Sequence, residues 1–169
     1  MLNKMFHRAK AFFVAACLVG GLAASAHADT QARQFVLNMP LGVAVGTEGL
    51  GASFDIGLEP EFFFSEHTSL SLRLEGTVGD TDTFHVGSRF RYYFDISPKV
   101  NIFVGAGMGF VANFDGADFG DAAIPVFGWQ YDLGEHLKIG SDVSFDIVFN
   151  QNNVAFLTRL MPIVVKWAF

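Results

Sequence analysis

From about residue 35 to the end of the chain, apolar residues alternate with polar or small ones in stretch after stretch. A period of two marks a β-strand whose two faces meet different surroundings. The first stretch sets Phe35, Leu37, Met39, Leu41, Val43 and Val45 against Asn38, Gly42 and Ala44, and the second sets Phe54, Ile56, Leu58, Phe62 and Phe64 against Asp55, Glu59 and Glu61. The third opposes Leu70, Leu72, Leu74 and Val78 to Ser71, Arg73, Glu75 and Thr77, and the fourth opposes Phe84, Val86, Phe90, Tyr92 and Phe94 to His85, Arg89 and Arg91. In the fifth, Val100, Ile102, Val104, Ala106, Met108 and Phe110 alternate with Asn101, Gly105, Gly107 and Gly109, although Phe103 and Val111 interrupt the polar face. The sixth opposes Phe127, Trp129, Tyr131 and Leu133 to Val126, Gly128, Gln130 and Asp132; the seventh opposes Leu137, Ile139, Val143, Phe145, Ile147 and Phe149 to Lys138, Gly140, Asp142, Ser144 and Asp146. The eighth sets Met161, Ile163, Val165, Trp167 and Phe169 against Val164, Lys166 and Ala168. Clusters of turn residues at 47–49, 65–68, 79–83, 95–99, 115–121, 134–136 and 150–153 separate these stretches, so the pattern predicts eight antiparallel strands joined by short connections.

One face of this sheet is almost wholly apolar and the other carries charges of both signs, which decides how the sheet closes. An eight-stranded barrel has an interior only wide enough to be filled by side chains. Large Phe, Trp, Leu and Ile side chains would overfill it and leave Arg73, Arg89 and Arg91 outside. Turned outward they meet lipid, each strand needs only about 9–11 tilted residues to cross, and a closed ladder leaves no unpaired backbone in hydrocarbon. The fold expected is therefore all-β, an eight-stranded antiparallel up-and-down transmembrane β-barrel. Even-numbered strands end on outward aromatic pairs, Phe62 and Phe64, Tyr92 and Phe94, Trp129 and Tyr131, Trp167 and Phe169, at one height, as an interfacial aromatic girdle requires.

The first residues change the picture at one end. Lys4, Arg8 and Lys10 precede an apolar run from Ala11 to Ala24, and Ala26-His27-Ala28 has the small-x-small form of a cleavage site, so residues 1–28 read as a secretory signal peptide and 29–169 as the barrel domain. The run is broken by Gly20, Gly21 and Ser25 and is too short for a permanent membrane helix. Val14-Ala15-Ala16-Cys17 resembles a lipidation box, but the apolar run continues past that cysteine. Cleavage after Ala28 removes the single cysteine, hence any disulfide or cysteine metal site. It also removes three basic residues and no acidic one, moving the formal charge from −6 to −9 (8 Lys and Arg against 17 Asp and Glu), which excludes nucleic acid as a partner. The 51% hydrophobic and 15% aromatic composition of the whole chain exceeds what a soluble domain needs, and the leader accounts for only part of it.

The ending Met161-Pro-Ile-Val-Val-Lys-Trp-Ala-Phe169 carries a family resemblance. The chain is similar to the small outer-membrane barrels of the OmpX and OmpA transmembrane-domain type over essentially all of residues 29–169. The resemblance implies that Ile163, Val165, Trp167 and Phe169 form the assembly signal read by periplasmic chaperones and the barrel-assembly machinery. It further implies that both termini lie in the periplasm of a Gram-negative cell. The surrounding partners are then outer-membrane lipids and lipopolysaccharide, and the barrel is a monomer without cofactor. Pro162 cannot donate to the ladder, which predicts a bulge beside it. Arg159, placed on the lipid side by strict alternation, is expected near the outer rim beside lipopolysaccharide phosphates.

The polar face collects Glu59, Glu61, Glu75, Asp142 and Asp146 with Arg73, Arg89, Arg91, Lys138 and Lys166. Charges in a narrow interior must pair or hold water, so the expected lumen is a salt-bridged plug and the expected role is structural, in the envelope, without catalysis. Three other functions are compatible with such a barrel: a narrow porin-like channel, a lipid A-modifying enzyme and an adhesin. His85, Ser144 and Asp146 are residue types for nucleophilic catalysis, but they come from opposite walls and carry no motif of the lipid A-modifying barrels. Outer loops of about five to eight residues are short for an adhesin. Asp80, Asp82, Asp115, Asp118 and Asp121 offer weak Ca²⁺ or Mg²⁺ binding at those loops, without EF-hand spacing. Gly105, Gly107 and Gly109 precede no helix, so they make room for facing Arg or Phe side chains rather than for phosphate. His67 and His136 read as solvated turn residues.

Overall fold

The sequence folds, in a computed structural model, into eight strands: β1 (Phe35–Gly46), β2 (Gly51–Phe63), β3 (Thr68–Gly79), β4 (Thr83–Ser97), β5 (Val100–Asn113), β6 (Asp118–Asp132), β7 (Leu137–Phe149) and β8 (Val154–Ala168). The structure describes residues 35–47, 50–80, 82–113, 118–149 and 154–169, with backbone only at 113, 118 and 119. The signal segment 1–28 and Asp115 lie outside the described residues.

Each strand pairs antiparallel with its neighbour in the chain, and β8 returns to β1, closing the barrel. Closure runs from Val36 opposite Ala168 to Gly46 opposite Leu157, so no strand edge is left unpaired. The amide of Phe169 donates to the Phe35 carbonyl at 3.0 Å, tying the end of the last strand to the start of the first. Both ends of the described chain therefore share one rim with the turns at 64–67, 98–99 and 133–136. At the opposite, distal rim the connections are 47–50, 80–82, 114–117 and 150–153, three or four residues each and shorter than the expected outer loops. The strands take up the difference, at 12 to 15 residues.

The inversion of faces is plain in the side chains. Phe54, Ile56, Leu70, Phe90, Ile102, Phe127, Trp129, Phe145, Phe156 and Trp167 are exposed on the outer wall, while Arg73, Arg89, Arg91, Glu59, Glu61 and Glu75 are among the most buried side chains of the protein. An outer wall of this kind is stable only against hydrocarbon.

Besides an irregularity between Asp95 and Ser97 at the end of β4, two bulges within the barrel wall reset the alternation, and both of these lie at prolines. In β8, Leu41 faces Ile163 but Val43 faces Leu160, so Gly42 opposes both Met161 and Pro162; on the other side Ser141 opposes Pro162 and Ile163. The phase inverts there. Below the bulge Val164, Lys166 and Ala168 face inward; above it Ala155, Leu157, Arg159 and Met161 do. The bulge stands where Pro162 predicts it, but two consequences correct the simple alternation. Met161 is buried, not on lipid, and Arg159 is in the lumen at 0% exposure rather than at the outer rim. In β6, Ala106 and Phe145 each oppose the pair Ile124 and Pro125. Above it Asp121 and Ala123 face inward, below it Val126 and Gln130. Asp121 is thus a strand residue inside the barrel, which corrects its placement in a distal loop.

Glycines on the inner face admit the large cations. A Cβ on Gly107 would stand 2.8 Å from Arg89 Cγ, one on Gly105 3.3 Å from Arg91 Cγ, and one on Gly109 2.7 Å from His85 Nε2. The Gly105-Ala-Gly107-Met-Gly109 run of β5 is therefore a trough into which three β4 side chains lie.

Candidate functional site: the sealed lumen

The lumen is layered. At the rim that carries the termini, Val36, Phe63, Tyr93, Phe103 and Ala168 form a buried apolar cluster that continues inward to Val126 and Ala123. The rings of Phe63 and Phe103 stand 5.1 and 5.2 Å from that of Tyr93. Phe103, which interrupts the polar face in sequence, is the centre of this layer. At the distal end Ala44, Val111, Val148 and Leu157 form a second apolar cluster against Leu50. Val111, the other interruption, belongs there. Apolar side chains thus close both ends of the polar section.

Between them lie two ionic groups. In the one nearer the termini, Glu59 accepts from Arg91 Nη2 at 2.7 Å and faces Arg89 Nη1 at 3.5 Å. Glu61 takes Arg91 Nη1 at 3.2 Å, Ser69 Oγ at 2.5 Å, the Tyr93 hydroxyl at 2.7 Å and Asn38 Nδ2 at 2.9 Å. Asp142 stands 3.7 Å from Arg89 and 3.9 Å from Arg91. Lys166 donates to Gln130 Oε1 at 3.0 Å, and its ammonium sits 5.0 Å from the Phe103 ring centre. Such dense pairing is what allows these charges to stay buried, since an unpaired ion there costs several kcal/mol.

The distal group is built on Arg73 and Arg159. Arg73 reaches Glu75 at 2.5 Å, Asp146 at 3.5 Å and Asp121 at 3.9 Å. Arg159 binds Asp146, holds Asp55 through Nε at 3.3 Å and faces Glu75 at 3.8 Å. His85 Nε2 lies 2.7 Å from Asp121 Oδ2. Nine of the ten charged residues read from the sequence as lumen charges are buried there. The tenth, Lys138, sits at the rim of the termini beside Asp132 at 3.4 Å, outside both groups. Sequence reasoning omits Asp55, Asp121 and Arg159 from the network. Asp55 lies on the polar face in plain view; the other two are hidden by the proline bulges.

His85, Ser144 and Asp146 are all buried, but each is engaged elsewhere: His85 beside Asp121, Ser144 accepting from Arg89 Nη2 at 3.3 Å, Asp146 bound to Arg159. That arrangement is not a nucleophile, base and orienting acid in series. On the distal connections, Asp80 Oδ2 accepts from the Ala52 amide at 2.9 Å and Asp82 Oδ1 from the Gly79 amide at 3.1 Å, so these carboxylates brace turns. Of the girdle residues, Phe64, Tyr92, Phe94, Trp129, Trp167 and Phe169 are exposed on the outer wall and Phe62 and Tyr131 are partly covered.

A closed eight-stranded barrel with a lipid-facing wall and an ionic interior defines an integral outer-membrane protein. The chain belongs to the outer membrane protein beta-barrel domain family, whose model matches residues 14–158. The location is accordingly the bacterial outer membrane. Among solved structures the barrel is similar to Neisserial surface protein A (TM-score 0.65, 15% identity, covering 80% of this chain and 97% of that one). It is also similar to the N-terminal β-barrel domain of Pseudomonas aeruginosa OprF (TM-score 0.55, 15% identity, 82% and 100%) and to Ail, the attachment invasion locus protein of Yersinia pestis (TM-score 0.53, 13% identity, 82% and 100%). At these identities the likeness is one of fold. No curated protein sequence matches the chain.

Proposed function

We propose that this protein is a non-conducting, single-chain outer-membrane barrel with a structural role in the envelope and no chemistry of its own. The observation that carries the reading is the lumen's filling: four guanidinium groups at 1% exposure or less, interlocked with carboxylates, between two apolar layers. An ion passing through would have to part both layers and break pairs whose separation strands buried charge. Closure of β1 on β8 also leaves no edge to recruit a second copy.

Its partners in this reading are lipid and lipopolysaccharide around the wall. During biogenesis they are periplasmic chaperones and the assembly machinery, meeting Ile163, Val165, Trp167 and Phe169 below the Pro162 bulge. The rim of the termini then faces the periplasm. The short distal connections count against adhesion as the principal role, and the separate partners of His85, Ser144 and Asp146 count against lipid A modification. Purified protein in planar bilayers tests the proposal. No steady conductance is expected, and a reproducible open channel with defined unit conductance overturns it.

A further inference from the structure

The two ionic groups differ in charge balance. Near the termini Glu59, Glu61 and Asp142 are matched by Arg89, Arg91 and Lys166. No ion pair among the described residues crosses to the distal group, where the guanidinium partners of Asp55, Glu75, Asp121 and Asp146 within 4 Å are Arg73 and Arg159. Two negative charges are left uncompensated in a low-dielectric interior, a cost of several kcal/mol per ion unless something neutralises them. The most weakly paired carboxylate is Asp121, 3.9 Å from Arg73 and beside His85. One ligand atom each of His85, Asp121 and Asp146 lies within 4.8 Å of the others, and all three side chains are buried.

The free lone pairs converge on the same point. Asp121 has no hydrogen-bond partner on either oxygen, and Asp146 has none on Oδ1, although its Oδ2 is held by Arg159. Both ring nitrogens of His85 also lack a hydrogen bond, although Nε2 is 2.7 Å from Asp121 Oδ2. That spacing is slightly inside the ~3.0 Å edge between neighbouring ligands of a six-coordinate ion with bonds of about 2.1 Å. Arg159 then acts as the outer partner that orients a ligating carboxylate. Directly distal to the cluster, a cavity of about 20 Å³ lined by Thr77, Thr83, Val111 and Val148 has room for a water.

We propose that His85, Asp121 and Asp146 bind one divalent first-row transition-metal ion inside the barrel. An imidazole with two carboxylates suits Zn²⁺ and its neighbours, and one such ion supplies the two positive charges the distal group lacks. The experiment uses the mature chain folded in detergent and freed of metal by chelator, with Zn²⁺ followed by calorimetry and Co²⁺ by visible absorption. One ion per barrel is expected, with Co²⁺ bands displaced by Zn²⁺. Binding is lost in His85→Gln and Asp121→Asn, each with its heat-modifiable gel migration intact, and is kept in Asp80→Asn/Asp82→Asn. Failure of the wild type to bind either ion overturns the proposal and leaves protons to neutralise the group. Binding that survives His85→Gln overturns it in favour of the distal turns. Should the His85 variant not fold, the ¹⁵N resonance of its Nε2 in the wild type decides: a shift on adding Zn²⁺ supports the site, and an unmoved resonance refutes it.

Discussion

Replacing Arg159 by methionine is the sharpest test of the lumen described above. The side chain is fully buried and faces three carboxylates, Asp146, Asp55 at 3.3 Å and Glu75 at 3.8 Å. At an effective dielectric of about 20, a contact at 3.3 to 3.8 Å is worth roughly 4–5 kcal/mol before desolvation. Removing one member of such a buried group leaves its partners charged and unpaired, which costs about 3–5 kcal/mol net. Arg159→Met retains most of the buried stem, so the loss reports charge rather than packing. Arg159→Lys is expected to fall between the two, because an ammonium cannot spread over three acceptors as a guanidinium does. Reversible urea unfolding in lipid vesicles, followed by tryptophan fluorescence and by gel mobility without boiling, measures the difference. A double-mutant cycle with Asp146→Asn should return a coupling of about 0.5–3 kcal/mol. A loss below ~1 kcal/mol for Arg159→Met, the range of exposed pairs, would mean that the residue is on the rim and that the β8 register is wrong.

Other substitutions probe the bulges, the glycine trough and the apolar layers. Deleting Pro162 removes the extra residue of β8 and turns Arg159 toward lipid, where a charge costs about 2–4 kcal/mol at mid-depth; the variant is expected to stay unfolded in a gel-shift refolding assay, whereas Pro162→Ala refolds. Gly107→Ala places a Cβ 2.7 Å from the Ser88 carbonyl and 2.8 Å from Arg89, and should lower stability by about 1–3 kcal/mol. Gly76→Ala, which meets nothing within 4 Å, should be neutral or gain about 0.4–1 kcal/mol, so equal effects of the two in urea unfolding would refute the trough. Phe103→Ala removes the centre of the apolar layer near the termini, at an expected cost of about 3–5 kcal/mol.

The fold was legible because each strand meets two solvents, lipid and a polar lumen, and a period of two reports that contrast at every residue. Register was legible only as far as the period ran unbroken. Alternation carried backward from Phe169 is right as far as Ile163, and one residue inserted at Pro162 inverts everything beyond it. Proline signals that a bulge is near, since it has no amide for the ladder, yet the phase beyond follows from which carbonyls the neighbouring strands offer. Pro125 gives the same signal in β6. Followed through, it moves Ala123 and Asp121 to the inner face, although Asp121 lies in a Gly- and Asp-rich stretch that reads as a turn. Asp55 needed no such correction, standing on the polar face two turns of the pleat from Glu59. What no period can supply is the choice of partner, because Arg159 of β8 meets Glu75 of β3 across the lumen rather than along a ladder.

The layering bears on function more strongly than any single pair. A conducting barrel of this size would need a continuous wet path, hence polar residues at both mouths. Here the inward positions at the ends carry Phe63, Tyr93 and Phe103 at one, and at the other Val111, Val148 and Leu157 beside the mutually bonded hydroxyls of Thr77 and Thr83. The two residues that spoil the polar face of β5 in sequence, Phe103 and Val111, fall one in each layer, eight residues apart along one strand. At about 3.4 Å of rise per residue they stand roughly 27 Å apart along that strand, enough to bracket the ionic section from both sides. The charges are thus separated from bulk water at either end. Their pairing, or in the distal group their neutralisation by an ion, then has to be complete within the barrel itself.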